Sequence, residues 1–306
     1  MSFQISQGES FSDGVRRILL EESDNILTRL ADTSDPDVSI HESRKSIKRM
    51  RATLRLISDE IPGSTFNREN KALRNCGRRL SEIRDLKAMF DTLTQIQAEQ
   101  KDKQVIKTLG LVREDVATRL AQSRESLYGP EGLLALVQTE VQAVRERLET
   151  LKLKRKNAFD KGIERTFRLG KKAMSKAFRE SETHQMHQWR KRVKDLWYQT
   201  TLLTDAWPAI MSVYTQELRQ LSESLGTDHD LAVLQERLDQ FEVSSPAQGT
   251  AREKLKTWIE SRRTDLHQQA LDVAARIYLG NPSLFAKDIR KRWKLRPVQL
   301  AEVAAA

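Results

Sequence analysis

One pattern, His-x-x-Arg-Lys-x-x-Lys, occurs twice in this chain of 306 residues. It reads His41, Arg44, Lys45, Lys48, and again His187, Arg190, Lys191, Lys194, 146 residues further on. A repeat at close to half the chain length marks an internal duplication. The spacing is that of one helix face, so the fold must present this cationic face twice.

Other anchors keep the same order. Gly14-x-x-Arg17 matches Gly162-x-x-Arg165, and Leu73-Arg74 matches Leu218-Arg219. Leu80, Arg84, Asp85 and Leu86 match Leu225, His229, Asp230 and Leu231; Leu93 matches Leu238, and Tyr128 matches Tyr278. The offsets run from 145 to 150 and change across loops, as insertions there would require. The halves are expected at about 9–157 and 158–295, within a single domain over 1–306, with 296–306 as a flexible tail.

Apolar residues recur with helical period throughout. The pattern predicts helices over 11–31, 38–60, 66–98, 103–128 and 131–156, then 159–180, 184–205, 209–241, 250–279 and 283–293. Breaks fall at Asp35-Pro36-Asp37, Ile61-Pro62-Gly63-Ser64, Gly129-Pro130, Trp207-Pro208, Ser244-Ser245-Pro246 and Gly280-Asn281-Pro282. No strand-like alternation appears. The expected class is all-α: two pseudo-twofold-related four-helix bundles, one from each half, with a basic groove or channel between or along them.

Charge says what such a groove would attract. Lys+Arg number 53 against 43 Asp+Glu, a formal net charge of +10. That excess favours polyanions: nucleic acid, anionic lipid or phosphorylated ligands. The single cysteine, Cys76, excludes an internal disulfide and a cysteine-based metal site. The first ten residues lack a basic and an apolar region, and no apolar run approaches the length of a membrane span. A cytoplasmic location without a membrane partner is expected.

Helical projection sharpens the motif. With His41 at zero, Lys45, Lys48, Ala52 and Arg55 fall within about 40°, Arg44 lies at the edge and Arg51 further round. Ile47, Met50, Leu54 and Ile57 oppose them. In the second copy His187, Lys191, Lys194, Tyr198 and, at the edge, Arg190 share a face opposite Trp189, Val193, Leu196 and Leu203. The helix before it aligns Lys161, Arg165, Arg168, Lys172, Lys176 and Arg179. The first half keeps only Arg17 of that stripe and adds Arg74, Arg78 and Arg84, with Arg219 and His229 as later counterparts. Like charges at these spacings cost about 0.2–0.5 kcal/mol per pair on an exposed helix. An anion with several charges reverses that cost. Arginine supplies a planar fork for phosphate oxygens, and lysine a compact charge. Histidine donates one N–H when neutral and two when protonated, and a neighbouring polyanion favours the second form. One such helix alone is usually a solvated basic face. A solvated face gives no reason to keep the same pattern twice.

These residues resemble the CHAD family, the conserved histidine α-helical domain. The resemblance rests on both His-x-x-Arg-Lys-x-x-Lys copies, on Tyr198, on the Leu80…Arg84-Asp85-Leu86 and Leu225-Gly226…His229-Asp230-Leu231 elements, and on the Gly-x-x-Arg before each histidine. It runs from about Phe11 to Trp293. It implies two helical bundles with a basic surface and central channel, binding of inorganic polyphosphate, and association with polyphosphate granules and their proteins. Some members carry a triphosphate tunnel metalloenzyme domain, for which this chain has no strand pattern, so it resembles the stand-alone form. The chain departs from its own repeat at three places: His229 stands opposite Arg84, Ala52 opposite Tyr198, and Ser81 opposite Gly226.

The expected contacts to polyphosphate are the histidines, lysines and arginines of both copies, together with Arg17, Arg51, Arg55, Arg74, Arg78, Arg84, Arg165, Arg168, Lys172, Tyr198, Arg219 and His229. Nucleic acid is the competing polyanion. Single-strand readers interleave stacking aromatics, whereas these stripes carry only Tyr198. Catalysis is the weakest reading. His184, His187 and the Asp228–Asp230 stretch would form a metal site only if their helices met, and no phosphate-binding loop, acidic pair or Ser-His-Asp set is visible. The expectation is a non-catalytic binder without metal or cofactor.

Overall fold

The computed structural model describes residues 3–128, 131–155, 158–180 and 182–296. The expected tail therefore lies outside the described residues apart from Arg296, as does the Gly129-Pro130 break. Among the described residues the secondary structure is helical and no strand forms. In chain order the helices are α1 Phe11–Ala31, α2 Pro36–Leu56, α3 Gly63–Arg79, α4 Ser81–Glu99, α5 Lys103–Arg124 and α6 Leu133–Glu149. There follow α7 Asp160–Glu180, α8 Thr183–Leu202, α9 Pro208–Gln240, α10 Pro246–Ile277 and α11 Pro282–Lys294, with a single 3-10 turn at Thr204–Ala206. No helix among these residues is long and apolar enough to cross a membrane.

At four of the expected breaks the proline belongs to the helix that follows. Pro36, Pro208, Pro246 and Pro282 each open a helix. A proline there loses nothing, because the first helical N–H has no partner within the helix. Asp35, Ser245 and Asn281 stand just before three of these prolines and accept the next free N–H groups through their side chains. The predicted helix over 66–98 is two helices. The chain bends at Leu80, and the Ser81 hydroxyl donates to the Arg78 carbonyl. The second half, with Gly226 at that place, runs unbroken through α9.

The bundles are not assembled one from each half. A first core joins α1, α2, α3 and α6 to α7, α8 and α11, the first part of α9 and the last part of α10. Phe11, Phe159 and Trp293 form an aromatic triangle inside it, with ring centroids 5.1–6.1 Å apart. A second core is built from Leu93 and Ile96 of α4 and from Val105, Leu109 and Val112 of α5. Leu231 and Leu234 of α9 and Leu255 and Ile259 of α10 complete it. The α4–α5 hairpin of the first half thus packs on the α9–α10 hairpin of the second. Length is the reason. Helix α9 has 33 residues and α10 has 32, each about 50 Å long, so both extend past the first core and need apolar cover there. Within the first core, the pairing of α1 with α2 and α6 recurs as α7 with α8 and α11, and α2 packs directly on α8.

Candidate polyanion-binding site

The apolar side of each motif helix is buried: Ile47, Met50 and Leu54 on α2, Trp189, Val193 and Leu196 on α8. That burial turns the cationic sides toward one another where α2 meets α8. Lys48 feels Lys194, Arg44, Arg190 and Arg84. Lys194 feels Arg190, Arg84 and Arg44 in turn. Five cations from α2, α4 and α8 therefore share one location. Two carboxylates oppose them: Asp85, 3.8 Å from Arg44, and Asp230, which acts on Arg190 and Lys194.

Most of these cations lack partners. Among the described residues no ion pair or hydrogen bond reaches the ammonium of Lys48 or Lys194. The Nε atoms of Arg44 and Arg190, equivalent positions in the two copies, are both buried without a hydrogen-bond acceptor. Arg44 also donates to the Gly77 carbonyl, which fixes its guanidinium. Burial, reinforced by Lys194 and Arg44, holds Lys48 well below the usual lysine range. Burial and Arg190 bring Lys194 down to about 8. Dehydrated cations crowded together are costly unless an anion completes the set.

The motif histidines stand at the margin of this cluster. Arg84 donates its Nε–H to Nδ1 of His41 at 2.9 Å. That bond requires a lone pair on Nδ1, so the proton of the neutral ring sits on Nε2. Burial and Arg84 lower the proton affinity of His41, and Lys48 and Lys45 add to this against Glu42. In the second half His187 packs against His229, ring centroids 4.6 Å apart. Burial and Lys191 push His187 down to about 4.

A second group of cations continues the path. Lys191 neighbours both Arg190 and Arg51, and Arg51 neighbours Arg55, Arg74 and Arg78. Burial, with Arg55 next, lowers Arg51 to about 10. Asn70 accepts from Arg51 at 3.0 Å, and the buried Asp195 accepts from Arg55 at 2.9 Å. Next to this pair, a cavity of about 350 Å³ is lined by Arg55, Arg165 and Arg192 with Ser58, Phe66 and Leu169. Asn70, Asp195 and Arg192 are not legible in the sequence as site residues. Asp195 follows Lys194 directly, and this carboxylate inside a basic stripe is the available signal.

A family model of the CHAD domain matches residues 17–239. The chain belongs to the CHAD domain family. Among solved structures it is similar to the CHAD domain from the plant Ricinus communis, at 17% identity and a TM-score of 0.56, covering 90% of this chain and 94% of that one. At that identity the likeness shows a shared fold. No curated protein matches.

Several expected contacts of this CHAD domain are engaged by other groups or stand apart from the cluster. Tyr198 faces the core: it is 5% exposed, stacks on Trp197 and meets Phe3 edge-on. The small Ala52 occupies the matching place on α2, and Gln199 donates to its carbonyl. Arg17 is held by Glu9, Glu21 and the Gln4 carbonyl. Arg165 is held by Asp59, Ser58 and the Arg55 carbonyl. Both arginines of the Gly-x-x-Arg pairs thus lock chain segments. Arg219 pairs with Glu223 beside a separate hollow that it shares with Tyr198 and Trp197. Lys45 is close to the cluster but pairs with Glu42. Arg168 and Lys172 are exposed on α7. The helices of the weak metal-site candidates do meet, and Asp228 is bound there by Arg263 and His267 of α10.

Charge follows the same division. Residues 81–124 and 228–266, which supply the second core, carry 14 Lys+Arg against 15 Asp+Glu. The net positive charge of the CHAD domain therefore resides entirely in the part containing α2 and α8.

Proposed function

We propose that this CHAD domain binds inorganic polyphosphate along the α2–α8 surface, without catalysis. The observation that carries the reading is the convergence of Arg44, Lys48, Arg84, Arg190 and Lys194, two of them ammonium groups outside any ion pair. A flexible chain of phosphates supplies closely spaced charges and requires no base recognition. The continuation through Lys191, Arg51 and Arg55 supports binding of several consecutive phosphates. Attachment to polyphosphate granules would follow from the same contacts.

Binding of polyphosphates of defined length, measured by calorimetry, tests this reading. Affinity should rise with chain length and fall steeply with salt, because each neutralised charge releases a counterion. Competing single-stranded DNA or RNA should displace polyphosphate poorly. Affinity for long chains no greater than for orthophosphate at moderate salt would overturn the reading, as would preference for nucleic acid.

The lysines set a pH dependence. Lys194 titrates at about 8 in the free protein, and a bound polyanion raises that value. Below that pH the group is already charged and its contribution to affinity is full. Above it, binding must take up a proton, so affinity falls as pH rises through about 8 toward the value in the complex. A titration from about pH 7 to about pH 10 at constant ionic strength should show this decline; a flat profile would remove Lys194 from the contact.

A further inference from the structure

Positions 84 and 229 correspond in the two halves, yet one is arginine and the other histidine. Arg84 reaches Nδ1 of His41 at 2.9 Å. His229 lies against the ring of His187, with centroids 4.6 Å apart and planes inclined by 31°. A guanidinium stays charged at any working pH, whereas an imidazole is charged only when it holds a second proton. Building on the polyphosphate reading, we infer that the His187–His229 pair is a proton-dependent contact to the ligand. Binding of the polyanion drives uptake of a proton by the imidazoles, so the second half of the groove strengthens on acidification and the first half does not.

The surroundings of the pair support this. On α8, His184, Arg190 and Lys191 face His187, and on α9 the Asp230 carboxylate lies 3.3 Å from Nδ1 of His229. From α4, Arg84 and Asp85 act on Arg190, as does Arg44 from α2. From α10, Arg263 and His267 are bound to Asp228. Cations thus dominate around His187, and its Nδ1 is buried without a partner. A polyanion lying on Lys191 and Arg190 reverses the local potential and favours the imidazolium. Charge on the neighbouring His229 ring disfavours charge on His187, so a polyanion is what tips that ring toward the imidazolium. His41 is a poor source of the same effect, since protonating its Nδ1 breaks the bond from Arg84.

The test is the affinity for long-chain polyphosphate at about pH 5.5 and about pH 7.5, at constant ionic strength. Long chains make titration of their end groups negligible. The wild type should bind roughly fivefold or more tightly at the lower pH. His229→Arg should bind with nearly equal affinity at both, while Arg84→His should steepen the dependence. His229→Gln, which adds no bulk or charge, should also flatten it. Calorimetry in buffers of different ionisation heat should show proton uptake in the wild type that is lost in both His229 variants. A pH-independent wild type, or an unchanged slope in both variants, overturns this inference alone. Absence of polyphosphate binding at both pH values overturns the reading of the site and this inference with it.

Discussion

Replacing Lys48 and Lys194 together with methionine is expected to abolish tight polyphosphate binding and to raise the melting temperature. The first effect follows from the cluster's centre. Charge-assisted contacts contribute about 1.5–3 kcal/mol each, so losing two should weaken binding roughly 100-fold or more. The second follows from the same groups in the empty protein. Keeping Lys194 charged at neutral pH, when its pKa has fallen to about 8, costs on the order of 3 kcal/mol relative to a solvated lysine. Lys48 is displaced in the same direction, by burial and by cations alone. Methionine fills similar volume and needs no partner, so a gain of a few degrees is expected for a chain of this size. Exposed lysines Lys287 and Lys291 on α11 provide the control, since their replacement should leave affinity nearly unchanged. A double variant that melts lower and binds normally would show the cluster to be structural.

The largest loss of stability is expected for Gly162→Ala. A Cβ at Gly162 would sit 1.9 Å from the Leu56 carbonyl oxygen and 2.7 Å from its carbon. The obstacle is backbone at the end of α2, which cannot rotate away. One turn further along α7, Arg165 binds the Arg55 carbonyl, Ser58 and Asp59, so a shift of α7 would also release these contacts. A loss of about 3 kcal/mol or more is expected, roughly 5 °C in melting temperature. Gly14→Ala meets a different obstacle, the Ile5 side chain at 2.7 Å and the Glu9 carboxylate at 2.9 Å. Those atoms can move, so its cost should be clearly smaller. Equal losses in thermal melts of the two variants would contradict this account of the α7–α2 seam.

The Gly-x-x-Arg pairs show how one sequence signal can carry two meanings. In projection, Arg165 belongs to a basic stripe and Arg17 to its remnant. In three dimensions the glycine admits a neighbouring segment and the arginine ties it down. At Gly162 that segment is the end of α2. At Gly14 it is residues 4–9, where the Ile5 N–H donates to the Leu202 carbonyl at the end of α8. Projection misplaces Tyr198 for a related reason. Helical angle ranks positions around one axis, but the boundary between buried and open depends on what packs there, and the N-terminal Phe3 covers Tyr198.

Periodicity and capping chemistry made the all-α class legible, along with most helix positions and the convergence of Arg44, Lys48, Arg190 and Lys194 on one side of their helices. Those properties are local, set by spacing within a few turns. Which hairpins share a core was decided only by tertiary structure. Helices α9 and α10 outrun the first core, and the apolar surface left at their far ends is covered by α4 and α5 from the other half of the chain. The electrostatic state of the site was decided there too. A lysine in sequence is an ordinary cation; Lys48 and Lys194 become dehydrated and unpaired because the packing of α2 on α8 encloses them beside each other.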